Sequence, residues 1–200
     1  MLATSLLKSL ALALSLTTTF AFANTYAPLS DGRHTLRFHL LSCPPTIRPK
    51  ISGFSSSSTP SSSLSSQFSI VPNSTTIIVP SDFIGSIYLA GEQCGKYGDS
   101  CQSLDLTFQP NPNETVRSYI NYDAMPGKKF VYPVKAWFDD GGEQKKGEDG
   151  VIECEQSSCV DGSRDPDDFI SNRIYSSTKG VGVVVEYDCA GRLNGTSTTH

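Results

Sequence analysis

The stretch Thr35-Leu36-Arg37-Phe38-His39-Leu40 alternates polar and apolar side chains one by one. Because neighbouring side chains of a β-strand point to opposite faces, this pattern predicts a strand whose apolar face meets a core. The same signal, or a short β-rich run, recurs at 76–79, 83–89, 104–108, 118–122, 130–138 and 181–187. Clusters of Gly, Pro, Asn and Asp separate these runs. The pattern predicts an all-β protein, an antiparallel β-sandwich, with a barrel as the alternative.

The first 23 residues predict export. Lys8 precedes an apolar run from Ser9 to Leu16, and Phe20-Ala21-Phe22-Ala23 has the small-x-small pattern that a signal peptidase cuts after. The run is too short for the ~20 residues that span a bilayer, so a signal peptide at 1–23 is favoured over an anchor. The alternative is a buried N-terminal helix. A single domain at 24–200 follows, and we expect it to be secreted and extracellular.

The charge balance disfavours two classes of partner. The chain carries 16 basic and 20 acidic side chains, and without Lys8 the balance is 15 to 20. The resulting negative charge opposes binding to nucleic-acid phosphates and to anionic membrane surfaces. We therefore expect neither a nucleic acid nor a membrane as partner.

Cysteine usage predicts a disulfide framework. All six cysteines lie after the predicted signal peptide, and an even number in an exported chain indicates three disulfides. Six cysteines allow fifteen connectivities, among which sequence alone does not choose. Short spacing favours the pairs Cys94–Cys101 and Cys154–Cys159, which leaves Cys43 with Cys189. A zinc site is disfavoured because no CxxC pair or histidine lies at ligand spacing.

Three segments are predicted to form loops or a short helix instead of strands. Residues 52–69 are serine-rich and have little apolar area to bury, so we predict a flexible insert there. The span 139–149 is predicted to be a second polar loop. At Asp165-Pro166-Asp167-Asp168-Phe169-Ile170, the acids and the proline indicate a short helix start rather than a calcium loop, since EF-hand spacing is lacking.

Three sequons predict glycosylation of surface loops. They begin at Asn73, Asn113 and Asn194, each beside turn-forming residues.

Catalytic signals are weak. The sequence has no Gly-x-Ser-x-Gly elbow and no HExxH or phosphate-binding loop. Carboxylate pairs remain, because glycosidases need two carboxyl groups flanking the scissile bond. Asp105 lies on the polar face of a predicted strand, where a second acid could approach it from Asp123, Asp139, Asp140 or Glu153. A solvated polar face is the simpler interpretation. No cofactor or metal ion is expected.

Several motifs, in order, resemble those of thaumatin-like proteins. Gly85-Ser86-Ile87-Tyr88 is similar to the family's Gly-Arg-Ile-Trp segment, and Asp105-Leu106-Thr107-Phe108 to its Glu-Phe-Thr-Leu strand. Tyr122-Asp123, with Phe130 and Pro133, matches the spacing of its Tyr-Asp-x-Ser-x-x-Asp-Gly-Phe-Asn-x-Pro segment. The resemblance covers about 78–134, with looser matches at Cys154, Cys159 and 183–189.

The resemblance implies a β-sandwich with an acidic cleft, and in some members binding or slow hydrolysis of β-1,3-glucan. The family's cleft arginine falls on Ser86 and its glutamate on Asp105. Its first aspartate is kept as Asp123, whereas its second falls on Lys128. A lysine there is expected to hold neighbouring carboxylates ionised, which works against a general acid. The chain also has fewer cysteines than typical members and lacks most of their disulfide-rich second domain.

We therefore expect a secreted, non-catalytic protein that binds a carbohydrate or a surface at a cell wall or on a host, in the style of a fungal effector. Its expected partners are β-glucan or a host surface protein. Binding is expected to use Asp105 and Asp123, with sugar stacking on one or more exposed aromatic rings: Tyr88, Tyr119, Tyr122, Tyr132 or Trp137. The alternatives are a weak endo-β-1,3-glucanase using Asp105 with Asp123, and a structural wall glycoprotein.

Overall fold

A computed structural model describes residues 28–55, 76–90, 94, 98–110, 115, 117–139, 150–165 and 173–190. Every regular element in these ranges is a strand. The strands are β1 His34–Leu41, β2 Arg48–Ser55, β3 Thr76–Val79, β4 Phe83–Ala90, β5 Ser103–Thr107, β6 Ser118–Asp123, β7 Val134–Asp139, β8 Val151–Cys154, β9 Gly162–Ser163, β10 Ile174–Ser176 and β11 Gly182–Asp188.

The strands form two sheets. Sheet A has the order β3-β1-β11-β7-β8, and sheet B has the order β10-β6-β5-β4-β2, with β9 paired to β6. The predicted two-sheet, all-β architecture is confirmed. Both sheets are mixed rather than purely antiparallel, because β1 pairs with β11, and β6 with β9, in parallel. Parallel pairing needs a long connection, and β1 and β11 come from opposite ends of the described chain.

Alternation along each strand builds the core. In β1, Leu36 and Phe38 are buried, as the sequence pattern predicts. Facing them across the sandwich are apolar side chains of sheet B. The core positions with exposure of 1% or less in the two sheets include Leu36, Phe38, Ala136, Val183 and Val185 from sheet A and Ile87, Leu104, Leu106 and Ile120 from sheet B. Burial of these side chains removes apolar area from water and holds the sheets together.

All three favoured disulfides are confirmed. Cys43–Cys189 has a Cα–Cα distance of 4.8 Å and joins the chain just beyond the ends of β1 and β11. Cys94–Cys101 and Cys154–Cys159 each close a short loop, with Cα–Cα distances of 4.9 Å. The long-range bond therefore ties together the two parallel strands of sheet A.

Strand β2 was not predicted, and it shifts the start of the serine-rich insert. Residues Ser52–Ser55, assigned to the insert, belong to β2 and pair with Phe83–Ser86 of β4. The segment lacks apolar alternation, so its pairing partner rather than its own sequence makes it a strand. A Cβ built on Gly53 would lie 2.5 Å from the Phe83 ring, which shows how closely that ring covers the strand. The predicted start at 52 is wrong; the rest of the insert lies outside the described residues.

The structure also differs from the sequence-based prediction in three short strands and in the start of one longer strand. Strands β8, β9 and β10 were not predicted, because two to four residues give too little periodicity. The predicted strand 130–138 begins only at Val134, since Pro133 lacks the N–H that a ladder position needs.

Several predictions lie outside the described residues. They are the signal peptide at 1–23, the polar loop after Asp139, the helix after Asp165, and the sequons at Asn73, Asn113 and Asn194. Within the described ranges, no helix has the length and apolar character needed to cross a membrane.

Candidate functional site

Asp105 lies in the middle of sheet B, on the face turned away from the core. In β5, Leu104 and Leu106 are buried in the core, so Asp105 between them points outward. It is paired with Ser86 on β4 and with Asn121 on β6. The outer face of sheet B therefore carries a row of polar side chains across three strands.

The carboxylate of Asp105 accepts hydrogen bonds from its neighbours. The Oδ1 atom accepts from Ser86 Oγ at 2.6 Å and from Ser103 Oγ at 3.4 Å. Burial raises the pKa of Asp105, and the charge of Asp123 acts in the same direction. The hydrogen bond from Ser86 and the charge of Lys128 oppose this rise without reversing it. The net result is a carboxyl group that holds its proton to higher pH than an exposed aspartate.

Asp123 is held by a turn that follows β6. The N–H of Lys128 donates to the Met125 carbonyl at 3.1 Å, and Gly127 between them has a φ of 89°. Pro126-Gly127 supplies the residues that such a tight turn requires. The turn brings Lys128 Nζ onto Asp123 Oδ2, while the Met125 N–H donates to Oδ1 at 3.1 Å.

Lys128, which stands where the family motif has its second aspartate, therefore forms an ion pair with Asp123 within the site. Its side chain and that of Asp123 are 24% and 12% exposed. The Lys128 charge lowers the pKa of Asp105, as expected of a neighbouring cation, but burial has the larger effect and the net shift of that pKa is upward. Asp105 and Asp123 are diagonal neighbours on adjacent strands, a relation that separates Cα atoms by about 7 to 8 Å.

The structure brings Asp105 together with Asp123 and not with the other candidate acids. Asp139 is on β7 in sheet A, where its Oδ2 accepts from Arg37 Nη2 at 2.6 Å. Glu153 is on β8 in the same sheet, with Lys135 Nζ at 3.5 Å. Asp140 lies outside the described residues.

Asn121 and Ser163 complete the polar row and were missed by the sequence analysis. Ser163 Oγ donates to Asn121 Oδ1 at 2.7 Å. Asn121 is fully buried, and its Nδ2 atom has no hydrogen-bond partner in the described part of the chain. Leaving a buried donor unpaired costs about 1 to 3 kcal/mol, so this amide is the least satisfied group of the site. The sequence signal for Asn121 was its place between Tyr119 and Asp123 at every second residue of β6, which puts the three side chains on one face.

The candidate aromatic residues fall into different environments. Tyr88 is 2% exposed and packs against the Cys94–Cys101 disulfide, and a Cβ built on Gly98 would lie 2.6 Å from its ring. Gly98 and the disulfide therefore cover the Tyr88 ring, and its stacking on a sugar stays a prediction. Tyr122 is a core residue whose hydroxyl donates to Gln102 at 2.9 Å.

Two further candidates lie apart from Asp105. Tyr132 is 8% exposed and belongs to the core. Trp137 is half-buried on the outer face of sheet A, flanked by Val184 and Val151 on the neighbouring strands. It is therefore on the opposite side of the sandwich from Asp105.

Tyr119 is a predicted aromatic residue on the outer face of sheet B, which it shares with Asp105 and with the covered ring of Tyr88. It is paired with Tyr175 of β10, and the ring centroids are 6.2 Å apart in an edge-to-face arrangement. Arg173 lies over the Tyr119 ring at 4.0 Å, and Arg117 lies over the Tyr175 ring at 4.5 Å. We call these four residues the Arg–Tyr cluster. The repeated pattern Arg-x-Tyr at 117–119 and 173–175 was the sequence signal for it.

The described residues do not form a metal-binding site. No group of three or more His, Cys, Asp or Glu side chains within those ranges is arranged to hold a metal ion. The chemistry that the face offers is hydrogen bonding and charge.

Comparison with known proteins finds a similarity among solved structures. No family model and no curated protein matches the chain. Among solved structures it is similar to a thaumatin-like xylanase inhibitor, with a TM-score of 0.45 and 10% identity, over 76% of this chain and 97% of that one. At this level of similarity, the activity of this chain has to be argued from its own residues.

Proposed function

We propose that the protein is a secreted, non-catalytic binding protein that holds a carbohydrate on the outer face of sheet B. The observation that carries this proposal is the state of the two carboxylates. Asp123 is bonded at both oxygens, by Lys128 and by the Met125 N–H, and Asp105 is bonded by Ser86 and Ser103. Groups held in this way are preorganised to accept hydroxyl hydrogen bonds.

The ion pair argues against hydrolysis in particular. A glycosidase needs one carboxylic acid to protonate the leaving group and one free carboxylate to act as nucleophile or base. Asp123 is the partner available to Asp105, and the Lys128 ammonium occupies the oxygen that would have to attack or accept a proton. Among the residues that the structure describes, the face therefore lacks the second reactive group.

Export supports the place of action. The N-terminal segment has the pattern of a secretory signal, and three disulfides are typical of proteins that work in oxidising surroundings. We propose that the protein acts at a cell wall or on a host surface, as a fungal effector would. The expected partners are β-glucan or a host surface protein.

Retention on insoluble β-1,3-glucan tests the proposal. We expect the protein to be retained above an inert secreted protein, and Asp105→Asn to weaken retention about tenfold, the effect of losing one charged hydrogen bond. Trp137→Ala on sheet A is the matched control and should bind as the wild type does. Loss of retention in Trp137→Ala alone would move the site to the opposite face and contradict the proposal.

A weak endo-β-1,3-glucanase is the second candidate. The raised pKa of Asp105 favours it, because a general acid must hold its proton near the working pH. Release of reducing ends from soluble β-1,3-glucan, present in the wild type and abolished in Asp105→Asn, would establish this activity and refute the non-catalytic function. No release by either protein is the result that we expect.

A further inference from the structure

We propose that the outer face of sheet A binds the same face of a second copy of this chain, so that the protein forms a two-fold symmetric dimer. A row of alternating hydrogen-bond donors and acceptors across four strands of this sheet points to that partner. The dimer uses the side of the sandwich opposite Asp105, so it does not depend on the proposed carbohydrate site.

The alternation lies in one row of paired residues. Across β1, β11, β7 and β8 the register places four residues in line, namely His39, Glu186, Lys135 and Glu153. Val185, next to Glu186 in β11, points into the core, so the row points outward. We call these four residues the charged row. Its order is donor, acceptor, donor, acceptor from one side of the sheet to the other.

The charged row is accessible from solvent. The exposed fractions of its side chains are 37% for His39, 30% for Glu186, 26% for Lys135 and 53% for Glu153. Within one chain, His39 Nδ1 lies 3.8 Å from Glu186 Oε2, and Lys135 Nζ lies 3.5 Å from Glu153 Oε1. Carboxylate and ammonium groups in such exposed pairs keep further hydrogen-bonding positions directed at water. A second chain placed opposite the row can take up those positions.

The alternation selects one symmetry for the dimer. Consider two copies that meet face to face around a two-fold axis parallel to the strands and midway between β11 and β7. Glu186 then faces Lys135 of the second copy, and His39 faces Glu153 of the second copy. A two-fold axis along the row would instead place each side chain opposite its own counterpart, so like charges would meet. Of these two axes, the one parallel to the strands makes the charged row complementary to itself.

The same face also carries apolar side chains. Trp137 follows Lys135 at every-second spacing on β7, beside the axis, and it is half-buried. Leu41 on β1 and Ile78 on β3 lie toward one edge of the face and are 44% and 50% exposed. They are two of the three large apolar side chains that are exposed in the described part of the chain. Apolar groups gathered on one face favour a contact that removes them from water.

The size of the face predicts a weak dimer. Five strands about 4.8 Å apart and about 20 Å long present about 500 Å² on each copy, or about 1,000 Å² for the pair. Specific and stable interfaces bury about 1,200 to 2,000 Å², whereas transient ones bury less. We therefore expect monomers and dimers in exchange, with the dimer favoured at high protein concentration.

Sedimentation velocity over a range of protein concentrations at low salt tests the dimer. The sedimentation coefficient of the wild type should rise with concentration. Lys135→Glu sets two acids opposite each other across the axis, and Glu186→Lys sets two bases opposite each other, so each variant alone should dimerise about tenfold more weakly, or weaker still. In an equimolar mixture of the two variants, the acids of one chain face the bases of the other. We expect this mixture to dimerise as the wild type does.

Asp99→Lys supplies the matched control for the mixture. Asp99 is exposed in the Cys94–Cys101 loop, which packs against Tyr88 of sheet B. The variant therefore adds a base of the same kind on the other side of the sandwich. Fluorescently labelled Lys135→Glu should sediment together with Glu186→Lys and not with Asp99→Lys. Equal association with both would reduce the effect to general charge attraction and refute the interface.

Two further outcomes would overturn the dimer. One is a wild type that stays monomeric at every concentration, and the other is a pair of variants that each dimerise as the wild type does. Each variant is first compared with the wild type in urea unfolding. A mixture of two folded variants that fails to recover dimerisation would then contradict the charged row.

Discussion

Asp105 and Asp123 are close neighbours with different constraints. Asp123 is locked by a lysine that a Pro-Gly turn delivers, whereas Asp105 sits in a buried row of hydroxyl and amide groups. Burial favours the neutral form of a carboxyl group, and a nearby cation favours the charged form. For Asp105 burial has the larger effect on the pKa, although Lys128 is close enough to oppose it.

The raised pKa of Asp105 predicts a pH-dependent stability. The folded protein binds the proton more tightly than the unfolded chain does, so stability falls as pH rises from about 4 through the folded-state pKa. Asp105→Asn removes this pH-dependent loss of stability, because asparagine does not titrate. The free energy of unfolding of the variant, measured in urea, should therefore rise relative to wild type as pH increases from 4 to 7. A difference that stays constant with pH would contradict the buried, proton-holding state.

His34 predicts the opposite trend. Its side chain is fully buried and stacked on Phe108 at 3.9 Å, with Nδ1 at 2.8 Å from the Val181 carbonyl and Nε2 at 3.2 Å from the Ser81 carbonyl. A neutral ring donates to only one of them. Burial nevertheless lowers the pKa of His34, and the two carbonyls oppose that shift only in part.

Because the folded-state pKa of His34 lies below its unfolded value, stability is lost as pH falls below about 6.5. The loss is at most about 1.4 kcal/mol per pH unit for one histidine. Unfolding in urea at pH 7.0 and 5.5 should show a smaller decrease for His34→Gln than for wild type. His39→Gln, which removes a half-exposed histidine from the same strand, is the control and should decrease as wild type does.

At the scale of elements, close approach between strands matters as much as side-chain alternation. Strand β2 pairs with β4 along eight residues although its sequence shows little periodicity. The glycines Gly53 and Gly85 are paired with each other, and the Phe83 ring lies over both. The absence of side chains at this pair lets the ring cover the two backbones.

Gly85→Ala is therefore expected to destabilise the sheet. A Cβ at this position would lie 2.3 Å from the Ser52 carbonyl oxygen and 2.5 Å from the Phe83 ring, and the backbone oxygen cannot move aside alone. We expect a loss of about 3 kcal/mol in the free energy of unfolding. Gly127→Ala is the control, because its Cβ meets nothing within 4 Å and only the positive φ is penalised, at about 1 kcal/mol. Equal losses of unfolding free energy in the two variants would argue against the close approach of β2 and the Phe83 ring to Gly85.

At the scale of the whole molecule, Cys43–Cys189 spans 146 residues of sequence and joins the two chain ends of the sandwich. The Cys189 N–H donates to the Leu41 carbonyl at 2.9 Å, so the disulfide and the parallel ladder hold the same pair of strands. Closing so long a loop restricts the unfolded chain far more than closing a short one.

Removal of this disulfide should cost more than removal of a local one. In the chain-entropy account, Cys43→Ala with Cys189→Ala loses about 5 kcal/mol, whereas Cys154→Ala with Cys159→Ala loses about 2 kcal/mol. Urea unfolding of both double variants, with oxidised wild type as reference, measures the two losses. A local disulfide that costs as much as the long-range one would contradict the account.

Much of the candidate site could not be predicted from the sequence. The motif order pointed to Asp105 and Asp123 as a pair, and the structure places them as diagonal neighbours. The sequence also offered Tyr88 and Trp137 for binding, but one is covered by a disulfide loop and the other is in the opposite sheet. Asn121 was not predicted, because its alternation along β6 gives its face but does not identify the residues that surround it in the fold.

The sequence by itself determined the all-β class and the main strands, because side-chain alternation is a local property of the chain. Short spacing favoured two of the cystine pairs, and the third, Cys43–Cys189, followed only as the pair left over. Only the tertiary structure decided that β1 and β11 run parallel, that β2 exists, that Tyr88 is buried and that two Arg-x-Tyr segments meet on one face. These features depend on which distant segments come into contact. The pKa of Asp105 depends on the same contacts, since burial is set by the neighbours that the fold assembles around a residue.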